Sequence, residues 1–248
     1  MKNKLIRPVR WSGLLGLCLA IIFSLGKSNA RGELLFFDSF EYPAGPLAGQ
    51  GPPAGAPPGQ TGWSLLAGNP LVAVQGLHFP HVFSVGGSAG LKAGHEPQTV
   101  VANLTPVNSG VVWLGFLIRL TRGPNDGYSV INLTAGTGTS NFPGYGVLFF
   151  FPNVFGIDND GPGFAPTTIA PSRATTWIVV RIDFDSGTQD MYINPTGPDA
   201  TPDAQLPMTS EFQTAGFSDL RLNSGASGFY QFDEVRIGTT FEDVRTGQ

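Results

Sequence analysis

The sequence has almost no cysteine and few basic residues. Cys18 is the only cysteine among the 248 residues, and it lies in an N-terminal segment that we expect to be removed. The remaining chain then has neither a disulfide nor a reactive thiol. Five of the 14 Lys and Arg precede residue 31 and none of the 18 Asp and Glu does, which leaves nine basic and 18 acidic residues and a formal charge of −9. This shortage of basic residues argues against binding to DNA or RNA.

The sequence also lacks helical periodicity. After residue 30, no apolar stripe persists at a helical period for the ten or so residues that a helix needs. No later apolar run is long enough to span a membrane. Instead, 34 Gly and 21 Pro residues punctuate short segments that are rich in Phe and in β-branched residues. This composition predicts short strands joined by tight turns.

The first thirty residues have the layout of a secretory signal peptide. A basic start precedes 15 uncharged residues, 11–25, fewer than the roughly 20 residues of a membrane-spanning helix. Ser28 and Ala30 are small residues at the −3 and −1 positions of a signal peptidase site, so we expect cleavage after Ala30. An uncleaved membrane anchor is the alternative. The predicted mature protein, residues 31–248, is secreted to the periplasm or the extracellular medium and is not inserted in a membrane.

Eight segments of the mature chain are bounded by turn residues. Each is rich in apolar residues or has apolar residues that alternate with polar ones. We predict strands at residues 33–40, 99–104, 111–120, 128–134, 146–151, 176–184, 189–193 and 229–237. Evenly spaced short strands predict an all-β fold, an antiparallel β-sandwich or jelly roll, in a single domain. Residues 43–62 are rich in Pro and Gly and predict a long surface loop, with an interdomain linker as the alternative.

Three stretches resemble a known class of domains. FFDSFEYPAGPLAGQ at 36–50, followed by TGWSL at 61–65, is similar to the opening of concanavalin A-like and laminin-G-like jelly-roll domains of secreted bacterial proteins. TTWIVVRIDFDSGTQDMYINPTG at 175–197 resembles their central hairpin, and FDEVRIGTTFEDV at 232–244 resembles their closing strand. The resemblance spans the mature chain and implies one jelly-roll domain. It implies little about activity, because this fold carries many unrelated functions.

The paired acids of a glycosidase are not visible in the sequence. Glycosidases with this fold carry closely spaced acids on one strand, because one carboxylate attacks while another protonates the leaving group. The nearest match is Asp183-Phe184-Asp185, in which Asp185 begins a turn and no Glu follows. We therefore interpret the two acids as turn-capping residues.

One oxygen-rich turn is the best candidate for a metal site. Asp158-Asn159-Asp160-Gly161 resembles the start of a calcium loop, because calcium prefers carboxylate and carbonyl oxygens. The acid that would close a twelve-residue loop is absent, since Ile169 occupies its position. Calcium held by Asp158 and Asp160 in a shorter loop is one interpretation. An ordinary turn without a cofactor is the other.

Asp233 is predicted to have a structural role. It alternates with Val235 and Ile237 along a predicted strand, which places all three on the same, buried side. An unpaired buried carboxylate is costly. We therefore expect its oxygens to accept hydrogen bonds.

Strand alternation also predicts a ligand-binding surface. In residues 111–120 and 176–184 the even-numbered positions form an apolar side, so the odd-numbered positions face away from the core. The outward aromatic and hydrogen-bonding side chains of three predicted strands are Trp113, Arg119, Tyr128, Asn132, Arg181 and Asp183. If these strands share a sheet, the six residues form a surface that suits a glycan. The alternative is that the tryptophans pack under loops and the charged groups pair with one another.

These observations favour a secreted, non-catalytic recognition or matrix domain that binds a glycan or a cell-surface polymer. Two other functions stay open. One is a carbohydrate-active enzyme with an unrecognised site, and the other is a purely structural envelope protein.

Overall fold

The regular structure of the chain is almost entirely antiparallel β-strand, as its turn residues and β-branched residues predict. A computed structural model of the protein describes residues 32–92, 98–122, 127–136, 143–147, 153–159, 163–225 and 229–247. These residues belong to a single sandwich of two sheets. The predicted jelly-roll architecture is confirmed.

Sixteen strands and two short helices are found in the described ranges. In chain order the strands are β1 (Leu34–Asp38), β2 (Gly45–Pro46), β3 (Ser64–Ala67), β4 (Leu71–Ala73), β5 (Ser88–Lys92), β6 (Gln98–Val107), β7 (Val111–Arg122), β8 (Ser129–Thr134), β9 (Gly144–Val147), β10 (Phe155–Asp158), β11 (Phe164–Pro166), β12 (Thr176–Asp183), β13 (Thr188–Ile193), β14 (Ala204–Pro207), β15 (Phe217–Ser224) and β16 (Phe229–Gly238). The helices are α1 (Ser210–Ala215) and α2 (Phe241–Thr246).

The strands divide into a nine-stranded and a seven-stranded sheet. The first has the order β14-β13-β12-β7-β16-β5-β4-β2, and β1 pairs with the C-terminal half of β16. The second has the order β11-β10-β9-β8-β15-β6-β3. Neighbouring strands in both sheets are antiparallel.

Several predicted strands agree with the structure to within two residues. The segments 111–120, 128–134, 176–184 and 189–193 correspond to β7, β8, β12 and β13. The segment 146–151 overlaps β9, and its residues 148–151 lie outside the described residues. The helices were not predicted, because each has six residues, too few for a helical period to be recognised.

The core lies between the two sheets. The even-numbered residues of β7 and β12, such as Phe116 and Val180, point into it as predicted. Leu133 and Leu222 point into it from the seven-stranded sheet. Each sheet therefore also has an outer face, on which the alternate residues lie.

The Pro- and Gly-rich segment 43–62 is more than a surface loop. Its Leu47 is fully buried in the core, and Gly45–Pro46 forms β2. The side chain of Gln60 exchanges two hydrogen bonds of 3.0 and 2.7 Å with the backbone of Phe37. A single apolar residue among prolines and glycines gives no periodic signal, which is why the sequence did not show this anchor.

A β-bulge in β16 reverses the predicted orientation of Asp233. Asp233 pairs with Leu117 of β7, and Arg236 pairs with Gly115. Two residues of β16, 234 and 235, therefore lie opposite a single residue of β7, and Glu234 has a φ of 50°. Asp233 therefore lies opposite Leu117 on the outer side, whereas Val235 is in the core. The prediction that these two residues share a side is wrong, because a bulge interrupts strand alternation.

Candidate functional site

The outer face of the nine-stranded sheet is covered. One cover is the segment of residues 74–87, which we call the strap, and the other is helix α2. Leu77 of the strap and Phe241 and Val244 of α2 are buried in one apolar cluster with residues of β7 and β12. Gly115 allows α2 to approach, because a Cβ at that position would lie 2.8 Å from the Cβ of Val244. A large ligand cannot reach this apolar floor while the two covers are in place.

Trp113 lies beneath this cover. Its side chain points away from the core as predicted, yet only 8% of the residue is exposed. The indole ring stacks on Tyr192 at a centroid distance of 6.1 Å and meets Phe241 edge-on at 5.5 Å. Trp177 is buried in the same cluster. The tryptophans thus pack under other elements, the alternative that the sequence left open.

Arg181 and Asp183 pair with each other. The Nη2 of Arg181 is 2.7 Å from Oδ2 of Asp183, and its Nη1 is 3.4 Å from Oδ2 of Asp190. The Oδ1 of Asp183 accepts hydrogen bonds from the backbone N–H groups of Asp185 and Ser186. Burial raises the pKa of Asp183, but the hydrogen bonds from Ser186 and Arg181 outweigh it and hold the pKa below its usual range. Such a carboxyl is a poor general acid, which supports its interpretation as a turn cap.

The six predicted ligand residues do not form one surface. Arg119 belongs to the nine-stranded sheet, where its Nε and Nη2 both donate to Oε1 of Gln231. Asn132 belongs to β8, and the preceding Tyr128 lies beside Gly225 at the end of β15, so both belong to the seven-stranded sheet. The prediction of a shared surface is therefore wrong. Alternation within a strand shows which residues share a face, but it does not show which sheet the strand joins.

A row of five residues crosses the outer face of the seven-stranded sheet. Strand register aligns Phe164 with Asp158, Asp158 with Gly144, Gly144 with Asn132, and Asn132 with Arg221. We call these five residues the polar row. Their neighbours within each strand are core residues, which include Ile131, Leu133, Tyr145, Ile157, Leu220 and Leu222. Asp158, Asn132 and Arg221 are half-buried, and Phe164 is 37% exposed.

Glycines lie in the middle of this face, beside the side chains of Val130 and Asn132. Gly144 and Gly146 of β9 face outward, and Gly156 of β10 is the register partner of Gly146. A Cβ at Gly144 would lie 3.0 Å from Nδ2 of Asn132. Asp158 and Asn132 are two strand spacings apart, about 10 Å, with only glycine between them.

Asn132 presents its side-chain amide on the outer face of β8. Its side chain makes no hydrogen bond within the part of the chain that the structure describes. Its neighbour Arg221 donates from Nη2 to the backbone oxygen of Gly136 at 2.9 Å. Asn223 accepts a hydrogen bond from Thr99 on the same face. Asn132 therefore offers an amide donor and acceptor at the centre of the polar row.

The acids of this face are far apart. On the described strands of the seven-stranded sheet, the outward acids are Asp158 and Asp219. Three strand spacings, about 14 Å, separate their strands, β10 and β15. Asp219 accepts a hydrogen bond from the hydroxyl of Thr134 at 3.2 Å. Glycosidases hold their carboxyl pair about 5 to 9.5 Å apart, so these two acids do not form such a pair.

The predicted calcium ligands are described only in part. Asp158 lies at the end of β10, and Asp160 lies outside the described residues. Within the described ranges, no group of three or more His, Cys, Asp or Glu side chains is placed to hold a metal ion. Calcium at Asp158 and Asp160 stays a prediction. No helix in these ranges is long and apolar enough to cross a membrane.

A buried ionic cluster, which sequence reasoning missed, fastens the strap to β16. The Oδ2 of Asp233 accepts a 2.6 Å hydrogen bond from the Leu77 N–H, and Oε1 of Glu234 accepts one of 2.5 Å from the Val85 N–H. The guanidinium of Arg236 is ion-paired with Glu234, and both side chains are fully buried. Asp233 is thus a hydrogen-bonded structural acid, as predicted. Three charged residues within an otherwise apolar strand sequence were the available signal for the cluster.

Burial controls the protonation of this cluster. Loss of water raises the pKa of Asp233 to about 8 and the pKa of Glu234 to about 7. The positive charge of Arg236 opposes both increases, while the negative charges of Glu41 and Asp38 add to the increase at Glu234. The cluster bonds to the protein's own backbone under the strap. We therefore regard it as structural and place the candidate site on the polar row.

Comparison with known proteins identifies the fold but no family. No protein-family model matches the sequence, and no curated protein matches it. The structure is similar to a family 16 glycosyl hydrolase protein from Mycobacterium smegmatis, with 16% identity over 83% of this chain and 100% of that chain and a TM-score of 0.51. It is equally similar to a glycosyl hydrolase family protein from Mycobacterium fortuitum, with 16% identity, coverage of 83% and 99%, and a TM-score of 0.51.

A sialidase is a further structural match. It matches with 10% identity over 73% of this chain at a TM-score of 0.48, and the chain spans 17% of the sialidase's own length. Identities this low establish the fold alone. The chain has the concanavalin A-like jelly-roll fold, which its three sequence stretches predicted.

Proposed function

We propose that the protein is a secreted, non-catalytic domain that binds a glycan or a surface polymer on the outer face of its seven-stranded sheet. The polar row carries this proposal. It places an aromatic ring, a carboxylate, a glycine, an amide and a guanidinium in register across five strands.

The chemistry of the polar row suits sugar rings. Phe164 is 37% exposed, and the exposed part of its ring can contact the apolar face of a pyranose. Asn132 offers an amide donor and acceptor for the hydroxyls of the sugar. Gly144 lies between Asp158 and Asn132 and adds no side chain of its own to the row. On the opposite side of the sandwich, the strap and α2 cover the apolar cluster that contains Trp113 and Trp177. The similar structures are named glycosyl hydrolases, which supports a glycan-related role.

Binding is favoured over hydrolysis by the positions of the acids. Asp158 and Asp219 are too far apart to share one glycosidic bond, and Asp183 has a lowered pKa on the other sheet. Secretion follows from the predicted signal peptide. Calcium held by Asp158 and Asp160 would place a cation at one end of the polar row, and it remains part of the proposal.

Retention on insoluble polysaccharides tests this proposal. Asn132→Ala and Phe164→Ala should each weaken retention about tenfold, because each removes a group that contacts the ligand. Arg119→Ala is the matched control, since Arg119 is an outward residue of the other sheet. Surface changes of this kind usually cost under about 0.5 kcal/mol of stability. Thermal unfolding of each variant checks that its stability is retained.

The same assay separates the alternatives. Release of reducing ends from a retained polysaccharide would favour an enzyme. Equal loss of retention in Arg119→Ala would move the site to the nine-stranded sheet. Retention of no polysaccharide would favour a purely structural envelope protein.

A further inference from the structure

We infer that two copies of the protein associate through strand β3, edge to edge and antiparallel around a twofold axis. Strand β3 (Ser64–Ala67) forms one end of the seven-stranded sheet. A strand at the end of a sheet presents backbone N–H and C=O groups that can pair with another strand. This association needs no ligand and does not depend on the proposed function.

Strand β3 lacks the features that prevent pairing at the other ends of the two sheets. The end strands β2, β11 and β14 contain Pro46, Pro166 and Pro207, and proline has no backbone N–H to donate. In strand β1, the side chain of Gln60 bonds to the backbone of Phe37, and β1 ends at a charged residue. Among the described end strands, β3 alone has neither a proline nor a charged residue.

Two exposed leucines are neighbours on this strand. Leu65 is 50% exposed and Leu66 is 53% exposed. Four of the five large hydrophobic residues that are exposed among the described residues lie in residues 42–91, and these two are the pair on β3. A second surface that covers them removes apolar area from water, which favours association.

The open part of the edge is short. Just before β3, the backbone of Trp63 is bonded to Gly49 and Gln50 at 2.8 and 2.9 Å, and after Ala67 the chain continues to β4 in the other sheet. A partner strand can therefore pair with residues 64–67 only. Stable interfaces use about 20 to 30 residues on each side, so we expect a weak dimer with a Kd in the micromolar range or above.

The charge pattern identifies a second copy as the occupant of this edge. Residues 42–91, which include β2, β3 and β4, contain no Asp, Glu, Lys or Arg, and neither does the neighbouring strand β6. The predicted mature chain has nine basic and 18 acidic residues, so charged surfaces of two copies repel each other. Around a twofold axis a strand meets itself, and an uncharged strand does so without opposing like charges.

Pairing through β3 joins the outer faces of two seven-stranded sheets. Ser64 of β3 is aligned with Val101 of β6, and Val101 is aligned with Arg221 of the polar row. The polar rows of the two copies then lie on one continuous face. This consequence rests on the proposed function: a polymer that reaches both rows gains about 10²-fold or more in apparent affinity over a ligand that reaches one.

Sedimentation velocity of the purified mature protein, without ligand, tests the association. In a concentration series that reaches about 200 µM, above the Kd expected for so small an interface, the protein should change from monomer to dimer. Leu66→Lys should weaken the dimer at least fivefold, because two like charges about 4 Å apart in water cost that much. Phe83→Lys is the matched control, since it replaces an apolar residue of the strap that is 57% exposed, and it should leave the dimer unchanged.

A mixing experiment separates a lost interface from a damaged fold. Equal amounts of Leu66→Lys and Leu66→Glu should form a mixed dimer, because opposite charges then meet across β3. A misfolded variant would not recover in this way.

Three outcomes of sedimentation would overturn the inference. They are a wild-type protein that stays monomeric throughout the series, a dimer that Leu66→Lys leaves intact, and an equal loss of the dimer in Phe83→Lys. A retention assay then tests the joined polar rows, because Leu66→Lys should weaken retention on a long polysaccharide and leave the affinity for a short oligosaccharide unchanged. A wild-type dimer that retains no polysaccharide contradicts the proposed function and leaves the association through β3 standing.

Discussion

The carboxylate of Asp233 accepts a 2.6 Å hydrogen bond from the backbone N–H of Leu77, which lies 156 residues earlier in the chain. This bond fastens one end of the strap to β16, and Glu234 fastens the other end at Val85. The strap then covers the aromatic residues of the nine-stranded sheet. The outer face of the other sheet is therefore the one on which we place the ligand.

Replacing Asp233 with alanine should destabilise the protein by about 2 to 4 kcal/mol, because it leaves the buried N–H groups of Leu77 and Glu234 without their acceptor. Chemical denaturation measures this loss. Asp185→Ala, in an exposed turn, is the control and should cost under about 0.5 kcal/mol. Similar small losses in both variants would show that the ionic cluster contributes little to stability.

Stability should fall as the pH rises from about 5 to about 9. The pKa of Asp233 is raised to about 8 and that of Glu234 to about 7, whereas both are near 4 in the unfolded chain. At a pH between the unfolded and the folded pKa, the two groups are protonated in the folded protein and ionised in the unfolded chain, so unfolding releases protons. The free energy of unfolding therefore decreases with pH until both groups are ionised in the folded protein. Thermal unfolding across this range measures the effect.

Asp233→Asn should flatten this pH dependence. The amide resembles the protonated acid in shape and does not titrate, so the part of the slope that belongs to Asp233 disappears. A flat profile in the wild-type protein, or an unchanged slope in Asp233→Asn, would contradict the raised pKa of Asp233.

Local patterns in the sequence predicted much of this fold. Strands β7 and β12 alternate cleanly, and their apolar sides were predicted residue by residue. The bulge at Glu234 could not be predicted in this way, because one extra residue shifts the alternation after it. Helix α2 escaped recognition because of its six-residue length.

The candidate site was predicted only in part. Asn132 was named from its place in β8, but Arg221 and Phe164 were not, since the row that joins them exists only after distant strands have paired. Trp113 points outward as predicted, yet α2 packs on it. Strand order is a long-range property, and no local pattern carries it.

Asp183→Asn should leave glycan retention unchanged and lower stability at neutral pH. Asp183 caps a turn of the nine-stranded sheet and pairs with Arg181, so it lies away from the polar row. Its lowered pKa means that its contribution to stability is present above pH 4 or so and is lost as the pH falls through the folded pKa. A retention assay and acid titration measure both effects, and a marked loss of retention in the folded variant would refute the first.

Export should remove residues 1–30. The intact mass of protein recovered outside the cytoplasm should correspond to a chain that begins at Arg31. A recovered species that retains Met1 would contradict cleavage after Ala30 and would favour the membrane anchor.

Hydrogen exchange in the presence of a retained polysaccharide tests the central claim most directly. It should slow exchange in β8, β9 and β15, around Asn132, Gly144 and Arg221, and leave the strap and β12 unchanged. Slower exchange confined to the strap or to β12 would contradict a binding site on the polar row.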